Sequence, residues 1–305
     1  MKLLLSHIAD LDGITPIILL KLLNIDFDYQ LFEVGQINDY LNEKIDNNQL
    51  DSYDEIFITD LSVSKSIADK IMMSKYNNKI KLFDHHKSAE WLNNYDFANV
   101  CESINGFMEC GTTLFYKYLV NTFESKILTK ESVITFVELV REGDTWQFTD
   151  LKNDSDNLNA LFNFYGIEDS IDKFTDFLYH NQSFYFDSTE LEIIKCLNRK
   201  QTNYLKYMED KVLFKRIDNY DIGIVFAEQY RSSLGHHLAQ IYQDKVDFIA
   251  IINLNRHVSF RGIKDIDISL FAKKFGGGGH PKACAIPLPN SLKDIIIKEI
   301  FNDNR

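Results

Sequence analysis

Short apolar runs alternate with helical patterns over the first 150 residues. Lys2 to His7, Phe27 to Val34, Glu55 to Leu61 and Lys79 to Phe83 have the length and apolar content of strands. Between them, Thr15 to Leu23 and Ser64 to Lys75 carry apolar residues at three-to-four spacing, as helices packed on a sheet do. The alternation predicts βαβ units and a largely parallel sheet. Helical patterns continue over Cys110 to Phe123 and Glu131 to Trp146. The Asn- and Asp-rich stretch Asn153 to Asn157 reads as a loop, and Ser188 to Glu209 as a long connecting helix. Beyond it come β-type runs at Lys211 to Ile217, Ile222 to Ala227, Val246 to Asn253 and His257 to Gly262, with helices around Ser233 to Gln243 and Ile268 to Phe275. The expected fold class is α/β. An N-terminal domain (1–187) with a parallel sheet flanked by helices leads through a connecting helix (188–210) to a smaller α/β domain (211–305). A chain of 305 residues has room for two such cores.

Composition narrows the class. Hydrophobic residues at 45% and charged residues at 26% are ordinary globular values. No apolar run approaches the ~18 to 20 residues of a membrane span, so the chain reads as soluble with no membrane partner. The apolar start Leu3-Leu4-Leu5 stops at Ser6-His7 and meets acid instead of a cleavage site, which fits a first strand better than a signal peptide. Cys101, Cys110, Cys196 and Cys284 show no C-x-x-C spacing, as expected of reduced thiols in a cytoplasmic protein. A net charge of -12 speaks against coating nucleic acid or binding long duplexes, since such binding neutralises many phosphates with Lys and Arg. A short anionic substrate stays compatible, because bound divalent cations reverse the sign of the field inside a cleft.

Four constellations carry candidate chemistry. His7, Asp10 and Asp12 lie on the turn between the first strand and the first helix, with Gly13 as a turn residue. One imidazole and two carboxylates there suit hard or borderline divalent ions, although Asp10 or Asp12 would serve equally as a helix cap. Asp60 ends the run Glu55-Ile56-Phe57-Ile58-Thr59, where a lone Asp is usually a cap. Asp84-His85-His86 follows the fourth strand, and adjacent imidazoles point in different directions, so one suits a metal and the other a substrate. Asp144 closes an amphipathic helix, with Gly143 marking the helix stop. Together they supply enough donors for two octahedral ions sharing a bridging Asp.

These residues resemble the DHH phosphoesterase superfamily, named for the triplet present here as Asp84-His85-His86. Near the C-terminus, Val258-Ser259-Phe260-Arg261 leads to Phe275-Gly276-Gly277-Gly278-Gly279-His280-Pro281-Lys282-Ala283, which is similar to the glycine-rich loop of the DHH-associated C-terminal domain. Two departures stand out: the H-x-x-D-x-D spacing of the first motif, and Ala283-Cys284-Ala285 where Ala-Ala-Gly is commoner. The resemblance implies an active site in a cleft between the two domains. It implies that His7, Asp10 and Asp60 hold one divalent ion and Asp12, Asp60, His85 and Asp144 the other, with Mn²⁺ as the expected metal and Mg²⁺ or Co²⁺ as substitutes. Asp84, His86 and His280 are then the catalytic groups, and Arg261, Gly277, Gly278, Gly279 and His280 bind substrate phosphates through backbone N–H groups, imidazole and guanidinium. Gly111-Thr112-Thr113 reads either as an ordinary helix start or as a source of N–H donors to the nucleotide.

Within that superfamily the glycine motif argues against a pyrophosphatase, and the length argues against a larger processive exonuclease. A nanoRNase B-type oligoribonuclease that releases mononucleotides from short RNA fits best. Alternatives are a cyclic or linear dinucleotide phosphodiesterase and a 3′-phosphoadenosine-5′-phosphate phosphatase. From another class comes a catalytically inactive nucleic-acid-binding scaffold, against which the full set of metal-type residues speaks. A homodimer is compatible with the sequence.

Overall fold

A computed structural model describes residues 1–147, 152–289 and 291–301. The chain divides into two units, Met1–Ile194 and Lys195–Arg305. The first is built on β1 (Lys2–His7), β2 (Phe27–Phe32), β3 (Glu55–Thr59), β4 (Ile80–Asp84) and β5 (Ala98–Val100), all parallel in the order β2-β1-β3-β4-β5. Between the strands run α1 (Leu11–Leu22), α2 (Gln36–Asp46) and α3 (Lys65–Met73). A short hairpin, β6 (Ser103–Ile104) and β7 (Phe107–Met108), precedes α4 (Gly111–Thr122), α5 (Glu131–Thr145), α6 (Lys152–Tyr165), α7 (Ile167–His180) and α8 (Ser188–Glu209).

Successive side chains of a strand point to opposite faces. Leu4, Phe57 and Phe83 therefore pack with α1 and with α4 to α7, while Leu3, Leu5, Ile56, Ile58 and Leu82 pack with Ile37 and Leu41 of α2 and Ile67 and Ile71 of α3. Covered on both faces, these strands read as continuous apolar runs. Each buried Leu or Ile contributes roughly 1.5–3 kcal/mol, so the sheet is a rigid base for whatever its carboxyl edge carries.

Two local expectations are corrected. Asn153 to Asn157 is the start of α6, not a loop. Ser155, Leu158, Leu161 and Phe162 of that helix are buried, and Ser155 Oγ donates to Leu139 O of α5 at 2.8 Å. That packing outweighs the helix cost of Asn and Asp, at most ~0.7 kcal/mol per residue. Gly143 is not the stop of α5, which runs on to Thr145 and closes with Trp146 in the left-handed conformation. A Cβ on Gly143 would meet Asn159 Nδ2 at 2.3 Å, so the glycine lets α6 approach.

The second unit is a six-stranded mixed sheet of β8 (Leu213–Ile217), β9 (Tyr220–Phe226), β10 (Phe248–Ile252), β11 (His257–Arg261), β12 (Gly278–His280) and β13 (Ala283–Pro287), in the order β12-β13-β11-β10-β9-β8. β9 and β10 are parallel, joined through α9 (Arg231–Ile241), and the other neighbours are antiparallel. Val225, Ile249 and Ile251 pack with Leu234 and Leu238 of α9. Phe248, Ala250 and Phe260 pack with Phe271 of α10 (Ser269–Lys274), and α11 (Leu292–Phe301) follows β13. Part of the glycine segment, expected as a loop, is the edge strand β12. A Cβ on Gly277 would stand 2.0 Å from Ala285 O, and one on Gly279 2.7 Å from Cys284 Cα, so the bare backbone is what lets this segment close on β13. Among the described residues no helix is long and apolar enough to cross a membrane.

Candidate metal centre

The centre grows from the carboxyl edge of the parallel sheet, where open α/β sheets place ligands. His7 ends β1, and the chain turns at once into α1. Asp10 caps α1, its Oδ1 accepting from Gly13 N at 3.1 Å, while its Oδ2 lies 3.6 Å from His7 Nδ1. Gly13 is correspondingly a residue of α1 and not of a turn.

Asp12 is fully buried and does not cap its own helix. Its oxygens accept from the N-terminus of α4, from Gly111 N at 2.8 Å and Thr112 N at 2.7 Å. Thr112 Oγ1 also donates to the Asp12 carbonyl at 2.9 Å. That carbonyl would ordinarily receive the N–H four residues on, but Pro16 stands there and has none. The N–H groups of Gly111 and Thr112 are thus directed at Asp12, where the positive end of the α4 dipole favours a carboxylate.

Asp60 leaves β3 with φ of 53°, in the left-handed region, and its N–H donates to Phe83 O at 3.0 Å. Its carboxylate faces two ways: Oδ2 is 3.2 Å from His7 Nδ1 and Oδ1 is 3.5 Å from His85 Nε2. Gly111 passes so close that a Cβ there would lie 2.8 Å from Asp60 N.

At the end of β4, Asp84 Oδ1 accepts from the N–H groups of His85 at 2.8 Å and His86 at 3.3 Å, and lies 2.7 Å from His86 Nδ1. One carboxylate oxygen so fixes the turn and the His86 ring. Its other oxygen, Oδ2, is buried without a hydrogen bond among the described residues, as is Asp144 Oδ2. His85 Nε2 lies 3.4 Å from Asp144 Oδ2 and 3.9 Å from Asp12 Oδ2. The structure brings His7, Asp10, Asp12, Asp60, His85 and Asp144 together, with Asp84 and His86 beside them. Their ligand atoms form three groups, each spanning under 4.8 Å: His7, Asp10 and Asp60; Asp12, His85 and Asp144; and Asp60, Asp84, His85 and His86.

Electrostatics express the crowding of acids. Burial works against a charged His7 ring, but hydrogen bonds and attraction from Asp10 and Asp60 prevail and hold its pKa up at about 10. His85 is likewise opposed by burial and carried to about 10 by Asp60, Asp144 and Asp12. Burial, then the charge of Asp60, pushes Asp12 up to about 6, and burial followed by Asp12 raises Asp144 well above the usual carboxylate range. For Asp60, burial is overcome by His7 and His85, and the pKa falls. Four carboxylates against two imidazoles leave a surplus of negative charge that divalent cations offset. Mixed N/O donors and orphaned buried carboxylate oxygens fit such ions. The reading by sequence missed the Cys110 thiol, the cap of α4, which burial and then Asp12 and Asp144 keep protonated.

In the second unit, Arg261 ends β11. Its Nη1 donates to Phe260 O at 2.9 Å and its Nη2 to Ser232 Oγ at 3.0 Å, while its stem lies against Gly235. Gly278 and His280 lie on β12, Gly278 with open space at its Cα and His280 exposed. Sequence reasoning also missed Arg231 and His257, whose Nη1 and Nε2 are 2.7 Å apart.

No family model matches the chain. It is 31% identical over 307 residues to the oligoribonuclease NrnB of Bacillus subtilis (strain 168), covering 98% of this chain and 75% of that protein. Among solved structures, the DHH domain of a member of the s1p family of ribosomal proteins is similar with a TM-score of 0.64 at 13% identity, over 99% of this chain and 86% of that one. The pGpG-specific phosphodiesterase PggH from Vibrio cholerae has a TM-score of 0.51 at 16% identity, over 98% and 97% of the two chains. RecJ of Thermus thermophilus, solved with Mn²⁺, has a TM-score of 0.52 at 13% identity over 98% of this chain and 51% of RecJ. Sequence likeness over almost the whole chain, on a parallel sheet whose carboxyl edge gathers the DHH triplet with its acids, places this protein in the DHH phosphoesterase superfamily, in the family of the oligoribonuclease NrnB.

Proposed function

We propose that this chain is a divalent-metal-dependent phosphodiesterase that degrades RNA fragments of a few residues to mononucleotides. The observation that carries the reading is Asp60, whose two oxygens face two separate donor sets, Oδ2 that of His7 and Oδ1 that of His85. On this reading His7, Asp10 and Asp60 hold one ion, and Asp12, Asp60, His85 and Asp144 hold the other, with Mn²⁺ as the metal. A bound pair of such ions activates water for attack on phosphorus and offsets charge on the phosphate oxygens.

The chain's own groups do the positioning. Asp84, 2.7 Å from His86 Nδ1, accepts the proton of that nitrogen and favours the doubly protonated ring, whose Nε2–H donates to a phosphate oxygen. Arg261, fixed by Phe260 and Ser232, grips a phosphate, and the backbone around Gly277, Gly278 and Gly279 with His280 donates hydrogen bonds to it as charge builds. Kinship to a protein named an oligoribonuclease supports short RNA as the substrate.

The test is to incubate purified protein and Mn²⁺ with end-labelled RNAs of increasing length, cyclic dinucleotides and 3′-phosphoadenosine-5′-phosphate. Mononucleotide release from the shortest RNAs, fading with length, is the expected result. Exclusive turnover of the bisphosphate or of cyclic dinucleotides would replace the reading, and binding without any turnover would leave only a scaffold.

A further inference from the structure

We propose that the β6–β7 hairpin and Trp146, at the rim of the candidate metal centre, form a stacking platform for a base of the substrate, with Phe107 as its main face. The proposal rests on the phosphodiesterase reading above and names the residues of the first unit that hold the uncharged part of the nucleotide.

Three large apolar side chains are exposed on this rim: Ile104 at 39%, Phe107 at 60% and Trp146 at 47%. Apolar residues scattered singly over a surface are ordinary, whereas a group of them rimmed by polar residues marks a contact surface. Ile104 and Phe107 stand opposite each other in the β6–β7 pairing and so project from the same face. Between them Asn105 and Gly106 have φ of 53° and 86°, both left-handed, as a tight two-residue hairpin turn requires.

A ladder of two residue pairs is too short to hold itself in water, so the position of this face is set from outside. Gln147 Oε1 accepts from Met108 N at 2.7 Å and Gln147 Nε2 donates to Gly106 O at 3.0 Å, while the buried Arg141 donates from Nη1 to Met108 O at 3.3 Å. Arg141 and Gln147 lie on either side of Asp144 and Trp146 in sequence, so the end of α5 that presents a metal-type carboxylate also clamps the hairpin. Both roots of the hairpin lie on the metal centre as well. Cys101 N, before it, donates to Asp84 O at 3.0 Å, and Gly111 N, after it, donates to Asp12 Oδ2 at 2.8 Å. Trp146 follows Asp144 by two residues, a span of at most ~7 Å between Cα atoms.

Continuity with the metal centre identifies the occupant. A phosphate held by ions at Asp12, Asp60 and His85 brings its own nucleoside to the surrounding rim, and the flat, uncharged part of a nucleoside is the base. Aromatic faces accept every base by stacking, whatever its hydrogen-bonding edge. Such a platform suits an enzyme that consumes RNA fragments of any sequence, and holding it rigidly through Arg141 and Gln147 lowers the cost of ordering it on binding.

The experiment uses the full chain in EDTA, where cleavage does not interfere. Trp91 and Trp146 are its two tryptophans, so Trp91→Phe leaves Trp146 as the only indole reporter. Titration with ApA should quench that emission, and titration with the base-free dinucleotide of the same ribose-phosphate backbone should not. By calorimetry, Phe107→Ala weakens ApA by roughly 5- to 150-fold, the worth of one stacked base, leaves the base-free ligand unaffected, and is rescued by Phe107→Tyr. Phe107 is mostly exposed, so its truncation leaves the fold intact. ApA that binds no more tightly than the base-free ligand, an unchanged Trp146 emission, or a Phe107→Ala variant that loses both ligands alike overturns the platform. A shift of Phe107→Ala to a smaller species in sedimentation, with ApA affinity kept, assigns the face to a second copy of the chain and also overturns it. Absence of ApA cleavage with Mn²⁺ counts against the catalytic reading instead, while the comparison of the two ligands still decides this one.

Discussion

Replacing Gly111 with alanine adds one methyl group where α4 passes closest to Asp60 in the candidate metal centre. Its Cβ would stand 2.8 Å from both Cβ and N of Asp60 and 2.9 Å from its Cα, where unstrained carbon contacts begin at ~3.5 Å. Two of those atoms are backbone, and Asp60 is buried in a left-handed conformation, so α4 must retreat. Overpacking of this kind costs about 1–3 kcal/mol, against at most ~1 kcal/mol gained from alanine in a helix. A net loss of up to about 2 kcal/mol lowers Tm by up to roughly 8 °C for a domain of this size. The functional effect is larger. A retreating α4 stretches the bonds from Gly111 N and Thr112 N to Asp12, now 2.8 and 2.7 Å, and hydrogen bonds to a charged group are worth about 1.5–3 kcal/mol each. Groups that support ligands in this way change metal affinity by ~10–100-fold. Thermal melting with calorimetric titration of Mn²⁺ reads both effects. Unchanged Mn²⁺ affinity with an unchanged Tm would refute the claim that α4 sets the geometry of Asp12 and Asp60.

Asp60→Ala removes the carboxylate facing both donor sets, and turnover of a short RNA should fall by more than the ~100-fold typical of a supporting residue; substantial residual kcat contradicts the bridging role. Arg261→Ala should raise KM by about tenfold with kcat little changed, as expected for a lost phosphate grip; an unaltered KM counts against it. In EDTA, His7 and His85 titrate at about 10 in the folded state against an ordinary 6.5, so the stability they lend is complete below the unfolded value and is lost as pH rises toward 10. Asp12, raised to about 6, pushes the same way at lower pH. Melting of the chelated protein should therefore worsen from about pH 7 to about pH 10, and added Mn²⁺, which needs neutral rings, should lessen the fall. A flat or rising profile in EDTA would show that these imidazoles are not paired as described.

Much of the architecture was legible in the order of residues. Strands buried on both faces need largely apolar runs, and β1, β3 and β4 supply them, each ending on a residue that bears chemistry: His7, Asp60 next after Thr59, and Asp84 with its two histidines. α7 and the start of α6 were not legible. The Asn and Asp at Asn153 to Asn157 favour turns locally, and only contact with α5 makes the helix the better state. Likewise Gly143 carries the letter of a helix stop, but the nearness of Asn159 is what requires it.

By itself, then, the chain determined its periodicities, its acidic balance and the identities of its ligand-type side chains, because these are local properties. Only the tertiary structure decided which oxygen of each acid does what. Asp10 divides between a cap and His7, Asp12 turns away from its own helix to receive the N–H groups of α4, and Asp60 spans two donor sets. Arg231 and His257 look unremarkable 26 positions apart and become neighbours through the pairing of α9 with the sheet. The physical reason is common to all of them. The direction of a carboxylate lone pair or a guanidinium N–H is set by what packs against it, and those partners come from distant parts of the chain.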